Sequence, residues 1–140
     1  MSDDAFDLQR FVKAQDPVFG RILSELRAGQ KRTHWMWFVF PQIAGLGFSA
    51  MAQRYAIQSL DEAKAYFAHP VLGARLRECS QVVLDVEGRS ALAIFGSPDD
   101  VKFRSCMTLF EKAVPDYALF GDALKKYFGG ERDAATLARL

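Results

Sequence analysis

The chain has 140 residues, 50% hydrophobic and 25% charged, with 18 Lys and Arg against 17 Asp and Glu and a formal net charge of +1. That length suits one domain with one core, and the balanced charge excludes a nucleic-acid-binding field and a trap for acidic substrates. No apolar stretch approaches the roughly 20 residues that span a bilayer, and the acidic opening MSDDAFDLQR has no secretory pattern, so a cytoplasmic location is expected.

In chain order, Phe6, Leu8, Phe11 and Val12 predict a first helix over about Ala5 to Ala14. Asp16 followed by Pro17 reads as a cap and first helical position, and Val18, Phe19, Ile22, Leu23 and Leu26 continue a second helix to a stop at Gly29. Gly20 inside it suggests close packing against a neighbour.

The stretch THWMWFVFPQIAGLGFS, Thr33 to Ser49, then holds both tryptophans. Trp35 to Phe40 has no wet face, so it is a buried strand or a core helix, which periodicity alone does not separate. The helical neighbours and missing partner strand favour a helix, capped by Thr33 and ended by Pro41. Trp35 and Trp37, two apart, point to different sides of such a helix.

Beyond the glycine loop, Ser49 can cap a helix to about Ile57, and Ser59-Leu60-Asp61-Glu62 matches a capping box. Ala63, Tyr66 and Phe67 form the inner side of that helix, and His69-Pro70 breaks it, with His69 as an N-cap or surface residue. Leu72, Leu76, Cys79, Val83 and Val86 give the cleanest amphipathic helix, ended by Gly88. Ser90 to Phe95 adds one or two turns. Ser97-Pro98-Asp99-Asp100 opens another helix with a cap, a first-turn proline and acidic residues at the positive end of the dipole. Val101, Ser105, Thr108, Leu109 and Lys112 track one side of it, and Cys106, Phe110 and Ala113 the adjoining one. Tyr117, Phe120, Leu124, Tyr127 and Phe128 stripe the next helix up to Gly129-Gly130, and Asp133 can cap a last short one. No segment alternates with period two. The expectation is an all-α, compact multihelical single domain over residues 1–140, with about eight or nine helices and buried central ones.

Several of these stretches resemble one family closely. They are Gly29-Gln30-Lys31 with THWMWFVFPQIAGLGFS, Tyr55-Ala56-Ile57, Glu62-Ala63, His69-Pro70 with Leu72-Gly73 and Arg75-Leu76, Phe95-Gly96-Ser97-Pro98-Asp99-Asp100, Lys102 with Arg104-Ser105, Thr108-Leu109-Phe110, and Asp133 with Thr136-Leu137. Together they span almost the whole chain and resemble the bacterial family catalogued as domain of unknown function 1810. Where that family often carries Ser-Ser before Met-Thr-Leu-Phe, this chain has Ser105-Cys106. The resemblance implies a mainly helical fold with buried central helices and no settled activity.

Function therefore rests on residue chemistry. Lys31, His34 and Gln42 flank the aromatic run, and Asp99, Lys102 and Ser105 share one face at a helix start. One reading joins them into a pocket with Trp35 or Trp37 as a stacking wall, Lys31 and Lys102 as positive charge, and the helix start as a source of N–H groups. Such a site suits a small anionic or nucleotide-like ligand. A second reading is structural: Asp99 satisfies the helix start and pairs with Lys102, while Ser105 and Thr108 bond back to the preceding turn. Cys106 with His34 or His69, and Asp99 with His34, are weaker catalytic pairings, and no phosphate loop is present. With no C-x-x-C spacing and two histidines in the chain, neither a metal site nor a cofactor is expected. The alternative to a ligand protein is a non-catalytic protein–protein interaction domain that docks through Phe48, Tyr55 and Tyr66.

Overall fold

The computed structural model describes residues 4–140; the first three residues of the acidic opening lie outside it. Among the described residues there are ten helices and no strand: α1 (Gln9–Gln15), α2 (Phe19–Arg27), α3 (Met36–Val39), α4 (Ala50–Arg54), α5 (Leu60–Ala68), α6 (Leu72–Asp85), α7 (Ala91–Phe95), α8 (Asp99–Ala113), α9 (Leu119–Phe128) and α10 (Ala134–Leu137). The fold is all-α, as the periodicity predicts. Among the described residues one isolated parallel bridge joins Ile43 to Ile57. None of these helices is long and apolar enough to cross a membrane.

The centre of the molecule is α8. α5, α7, α9 and α10 all pack on α8, so Phe103, the whole of Ser105 to Phe110 and Ala113 are buried. Amphipathic reading finds the stripe of a helix with one wet face, and most of α8 has none. Its ends are wetter, which puts Val101 and Lys112 in solvent although they lie on the same side as the buried Ser105, Thr108 and Leu109. The aromatic run yields one turn of helix, α3, and feeds the same core through its rings. Phe40 meets Phe103 edge-on at 5.0 Å between centroids, and Phe95 stacks on Phe103 at 4.8 Å.

Local capping follows the sequence in part. Ser49, Ser59, Ser90 and Asp133 each accept from the backbone N–H three residues on. His69 does the same work for α6, its Nδ1 accepting from Val71 N at 3.1 Å and Leu72 N at 3.2 Å. Three expected caps do not form. α1 begins at Gln9, and Asp16, instead of capping α2, ends α1 and pairs with Arg75 at 2.8 Å. Thr33 turns its hydroxyl to Glu25. Ser97 makes no side-chain bond to α8. Gly20 meets no neighbour within 4 Å, so close packing does not explain it. Gly73 is the glycine that close packing requires, since a Cβ there would run into the Phe67 carbonyl where α6 crosses α5.

Candidate functional site

The polar residues singled out in the sequence fall into three places. A cleft of about 470 Å³ opens between the loop that follows α3, the first turns of α8 and the start of α10. Gln42 enters it from the loop, Lys102 and Ser105 from α8, and Asp133 from the N-cap of α10. Its apolar wall comes from Leu46, Phe48 and Val101. Pro41 ends the helical turn and the Ile43–Ile57 bridge anchors the chain, with Ile57 N donating to Gln42 O at 2.8 Å. That bridge fixes Gln42 and starts the glycine loop, which carries Phe48 out to 83% exposure.

Lys31 and Asp99 stand behind the cleft, not in it. Asp99 bridges two lysines: Lys31 Nζ lies 2.9 Å from one carboxylate oxygen, Lys102 Nζ 3.7 Å from the other. The two lysines are not equivalent. The Lys31 side chain is 7% exposed and its ammonium sits 5.3 Å from the Trp35 ring centroid, while the Lys102 side chain is 30% exposed. Lys31 is thus committed to the fold through an ion pair and a ring contact, and Lys102 is the cation open to the cleft.

The remaining three residues lie elsewhere. Trp35 is 1% exposed and donates its indole N–H to Glu25 at 3.0 Å. Trp37 is half-buried in an adjoining crevice of about 20 Å³ that shares Gln42, Gly47 and Ala52 with the cleft. His34 borders a third hollow with Arg21 and Phe38, whose lining has no residue in common with the cleft. Neither tryptophan forms the expected stacking wall; the exposed ring at the cleft is Phe48. The physical reason lies in the short turn at α3, which turns Trp35 inward beneath Lys31.

The helix start offers little to an anion. Asp100 N donates to Gly96 O, and Val101 N and Lys102 N both donate to Pro98 O, at 2.9, 3.1 and 3.2 Å. These N–H groups are occupied, and Asp99 and Asp100 add negative charge beside them. The hydroxyls of α8 are also engaged. Ser105 Oγ lies 3.2 Å from Val101 O and 3.1 Å from Asp133 Oδ2, and Thr108 donates to Arg104 O at 2.8 Å while accepting from Asp133 N at 3.0 Å. Asp133 Oδ2 also receives Thr136 N and its hydroxyl, at 3.0 and 2.6 Å. The carboxylate therefore ties α10 to α8. Among the described residues the Gln42 side-chain amide has no hydrogen-bond partner.

Sequence reasoning missed Glu25. It is buried in α2 and receives Arg32 N at 2.7 Å, Thr33 N at 3.0 Å and the Thr33 hydroxyl at 2.6 Å, besides Trp35. Burial pushes this carboxyl upward, but the donors, led by the Thr33 hydroxyl, prevail and hold it down to about 2 from 4.5. The available signal was its position between Leu23 and Leu26 on an otherwise apolar face. In the sequence Phe48 stood out as a docking residue of an interaction domain and Asp133 as a cap, neither as part of this cleft.

The weaker catalytic pairings lose their basis. Cys106 is fully buried, and burial pushes its thiol well above the ordinary value, as it pushes Cys79 up to about 12. Both cysteines are free. Asp99 serves the two lysines while His34 borders a separate hollow. Among the described residues no three His, Cys, Asp or Glu side chains converge as metal ligands.

Comparison with known proteins agrees with this helical architecture. In the crystal structure of the conserved hypothetical protein Rv1873 from Mycobacterium tuberculosis, the chain finds a similar protein at 55% identity and a TM-score of 0.97, covering 98% of each chain. No curated protein matches it. A family model matches residues 5–140, and the chain belongs to the family described as protein of unknown function (DUF1810).

Proposed function

We propose that this protein binds a small anionic ligand in the cleft between the loop after α3 and the first turns of α8. The observation that carries this reading is the convergence there of the unpartnered Gln42 amide and the partly exposed Lys102 ammonium, about sixty positions apart in the chain. The volume, about 470 Å³, falls in the range of small-molecule pockets. Lys102, Gln42 and Phe48 are the contacts, Ser105 and Asp133 shape the floor, and Lys31 and Asp99 position Lys102. No residue pair in the cleft forms an acid–base or nucleophile set, so binding comes before chemistry in this proposal. The free, buried thiols suit the reducing cytoplasm in which we place the protein.

The interaction-domain reading rests on Phe48 alone. Tyr55 and Tyr66, the other rings of its surface, are 7% and 0% exposed.

A thermal-shift screen against small metabolite anions tests the ligand proposal. A ligand at 100 times its dissociation constant stabilises a fold by about 2.7 kcal/mol. The expected result is a shift of several degrees that disappears in Lys102→Gln, whose own melting point is unchanged. A shift that persists in both Lys102→Gln and Gln42→Ala places the ligand elsewhere and overturns the assignment.

A further inference from the structure

We infer that the ligand is a flat, apolar monocarboxylate, held by its carboxylate at Lys102 and Gln42 and by its body against Phe48, Leu46 and Val101. This inference rests on the ligand proposal above and narrows it by charge.

The cleft is lined by one cation, Lys102, and one carboxylate, Asp133. Asp133 has one oxygen filled by Ser105 and Thr136 and the other facing Arg104 Nη2 at 3.7 Å. Both oxygens of Asp99 face lysines. Neither Asp133 nor Asp99 has an oxygen free of partners, so the amine of a zwitterionic amino acid meets no free carboxylate of the cleft wall, only the neutral Gln42 carbonyl. The groups with donors to spare are the Lys102 ammonium, which meets Asp99 at 3.7 Å with one side, and the Gln42 side-chain amide; together they offer hydrogen-bond donors to an acceptor-rich group.

Around the cleft, Lys31, Lys102 and Arg104 face Asp99, Asp133 and Glu131, with Arg104 also 3.8 Å from Glu131. With Asp100 beside Asp99 the cluster has no excess of positive charge, and the N–H groups of Asp100, Val101 and Lys102 are taken by Gly96 and Pro98. A diphosphate or triphosphate would meet one cation only. A single carboxylate matches that cation, and its second oxygen can take the Gln42 amide.

Phe48 is the most exposed large apolar side chain among the described residues, and it stands over the cleft beside Leu46 and Val101. An apolar body laid there removes this ring from water. The loop that carries Phe48 is pinned at its base, since Arg139 Nη2 donates to Gly45 O at 3.2 Å.

The test uses the full chain labelled with ¹⁵N and four probes: phenylacetate, its neutral amide phenylacetamide, phenylalanine and inorganic pyrophosphate. Phenylacetate is expected to shift the Gln42 side-chain amide and the Phe48 and Lys102 backbone signals in a saturable way. Phenylacetamide is expected to bind about tenfold more weakly, the change a lost charge-assisted contact produces, and phenylalanine more weakly than phenylacetate because its ammonium is desolvated against the apolar wall without a carboxylate partner. Lys102→Gln is expected to erase the preference for phenylacetate over phenylacetamide, and Phe48→Ser to weaken both. If pyrophosphate saturates the same signals below the phenylacetate concentration, the monocarboxylate inference is overturned and the ligand cleft stands. If phenylacetate retains its preference in Lys102→Gln, the placement of the carboxylate is overturned. If no probe moves a cleft signal, both the inference and the ligand proposal fall.

Discussion

The two ends of the aromatic run meet polar groups of opposite character. At its entrance, one buried carboxylate, Glu25, collects four donors from Arg32, Thr33 and Trp35. At its exit, the Gln42 amide stands in a cleft without a hydrogen-bond partner, and the Lys102 ammonium reaches only one aspartate, at 3.7 Å. Both ends carry polar residues beside tryptophan, and a reader of the sequence has no reason to rank one above the other. The structure separates them by saturation. A group whose hydrogen-bonding capacity is filled within the chain holds the chain, and a partly exposed group with capacity left over is available to something else.

This contrast breaks most visibly at Glu25. Replacing it by Ala leaves the donors of Arg32, Thr33 and Trp35 without their acceptor in a buried place, and the expected loss is about 3–4 kcal/mol, since bonds to a charged group count for about 1.5–3 kcal/mol each and are not additive. Urea unfolding measures it; a loss below 1 kcal/mol would mean that the entrance cluster is not what anchors the run. The pH dependence adds a second reading. The Glu25 carboxyl is held down from 4.5 to about 2 in the folded chain, so the unfolded chain takes up its proton first as pH falls. Its contribution is complete above about 4.5 and fades as pH drops toward about 2. The stability gap between the native chain and Glu25→Gln should therefore narrow across that interval. A gap that widens there contradicts the assignment.

The two lysines on Asp99 carry the same contrast at closer range. Lys31→Ala removes the near, buried partner and its contact with the Trp35 ring, leaving Asp99 to a lysine 3.7 Å away. The expected cost is about 2–3 kcal/mol, at or below the lower end for breaking a buried pair because Asp99 keeps some exposure. Equal melting points for Lys31→Ala and the native chain would remove the distinction between the two lysines.

How much of this was legible in the sequence depends on the range of the interaction. Caps at Ser49, Ser59, Ser90 and Asp133 act over three residues, and the sequence shows them. Asp16, Thr33 and Ser97 have the same local pattern and fail because a distant partner or another backbone geometry competes: Arg75 takes Asp16, and Glu25 takes Thr33. The stripe on α6 was plain because one of its faces stays wet, whereas α8 is packed on several sides and its central place is a property of four other helices. The cleft was half legible. Lys102 and Ser105 share a helix face by spacing alone, but their meeting with Gln42 depends on how the loop after α3 folds over α8. Trp35 was misplaced because the preference of its indole for a buried carboxylate ten residues upstream leaves no periodic trace.

The smallest expected effect is also the one that sharpens the comparison most. Lys102→Gln alters a side chain that is 30% exposed and lies 3.7 Å from an aspartate already held by Lys31. Exposed pairs at this spacing contribute a few tenths of a kcal/mol, so the unfolding free energy should change by less than about 0.5 kcal/mol. Glutamine keeps the length and the polarity but removes the charge, which confines any functional change to the ammonium. A variant as stable as the native chain, beside a Lys31→Ala variant that is clearly weaker, would show that one aspartate serves two lysines in two capacities. If Lys102→Gln instead costs as much as Lys31→Ala, Lys102 belongs to the saturated kind, and the cleft loses the one cation that distinguishes it from the other polar surfaces of the fold.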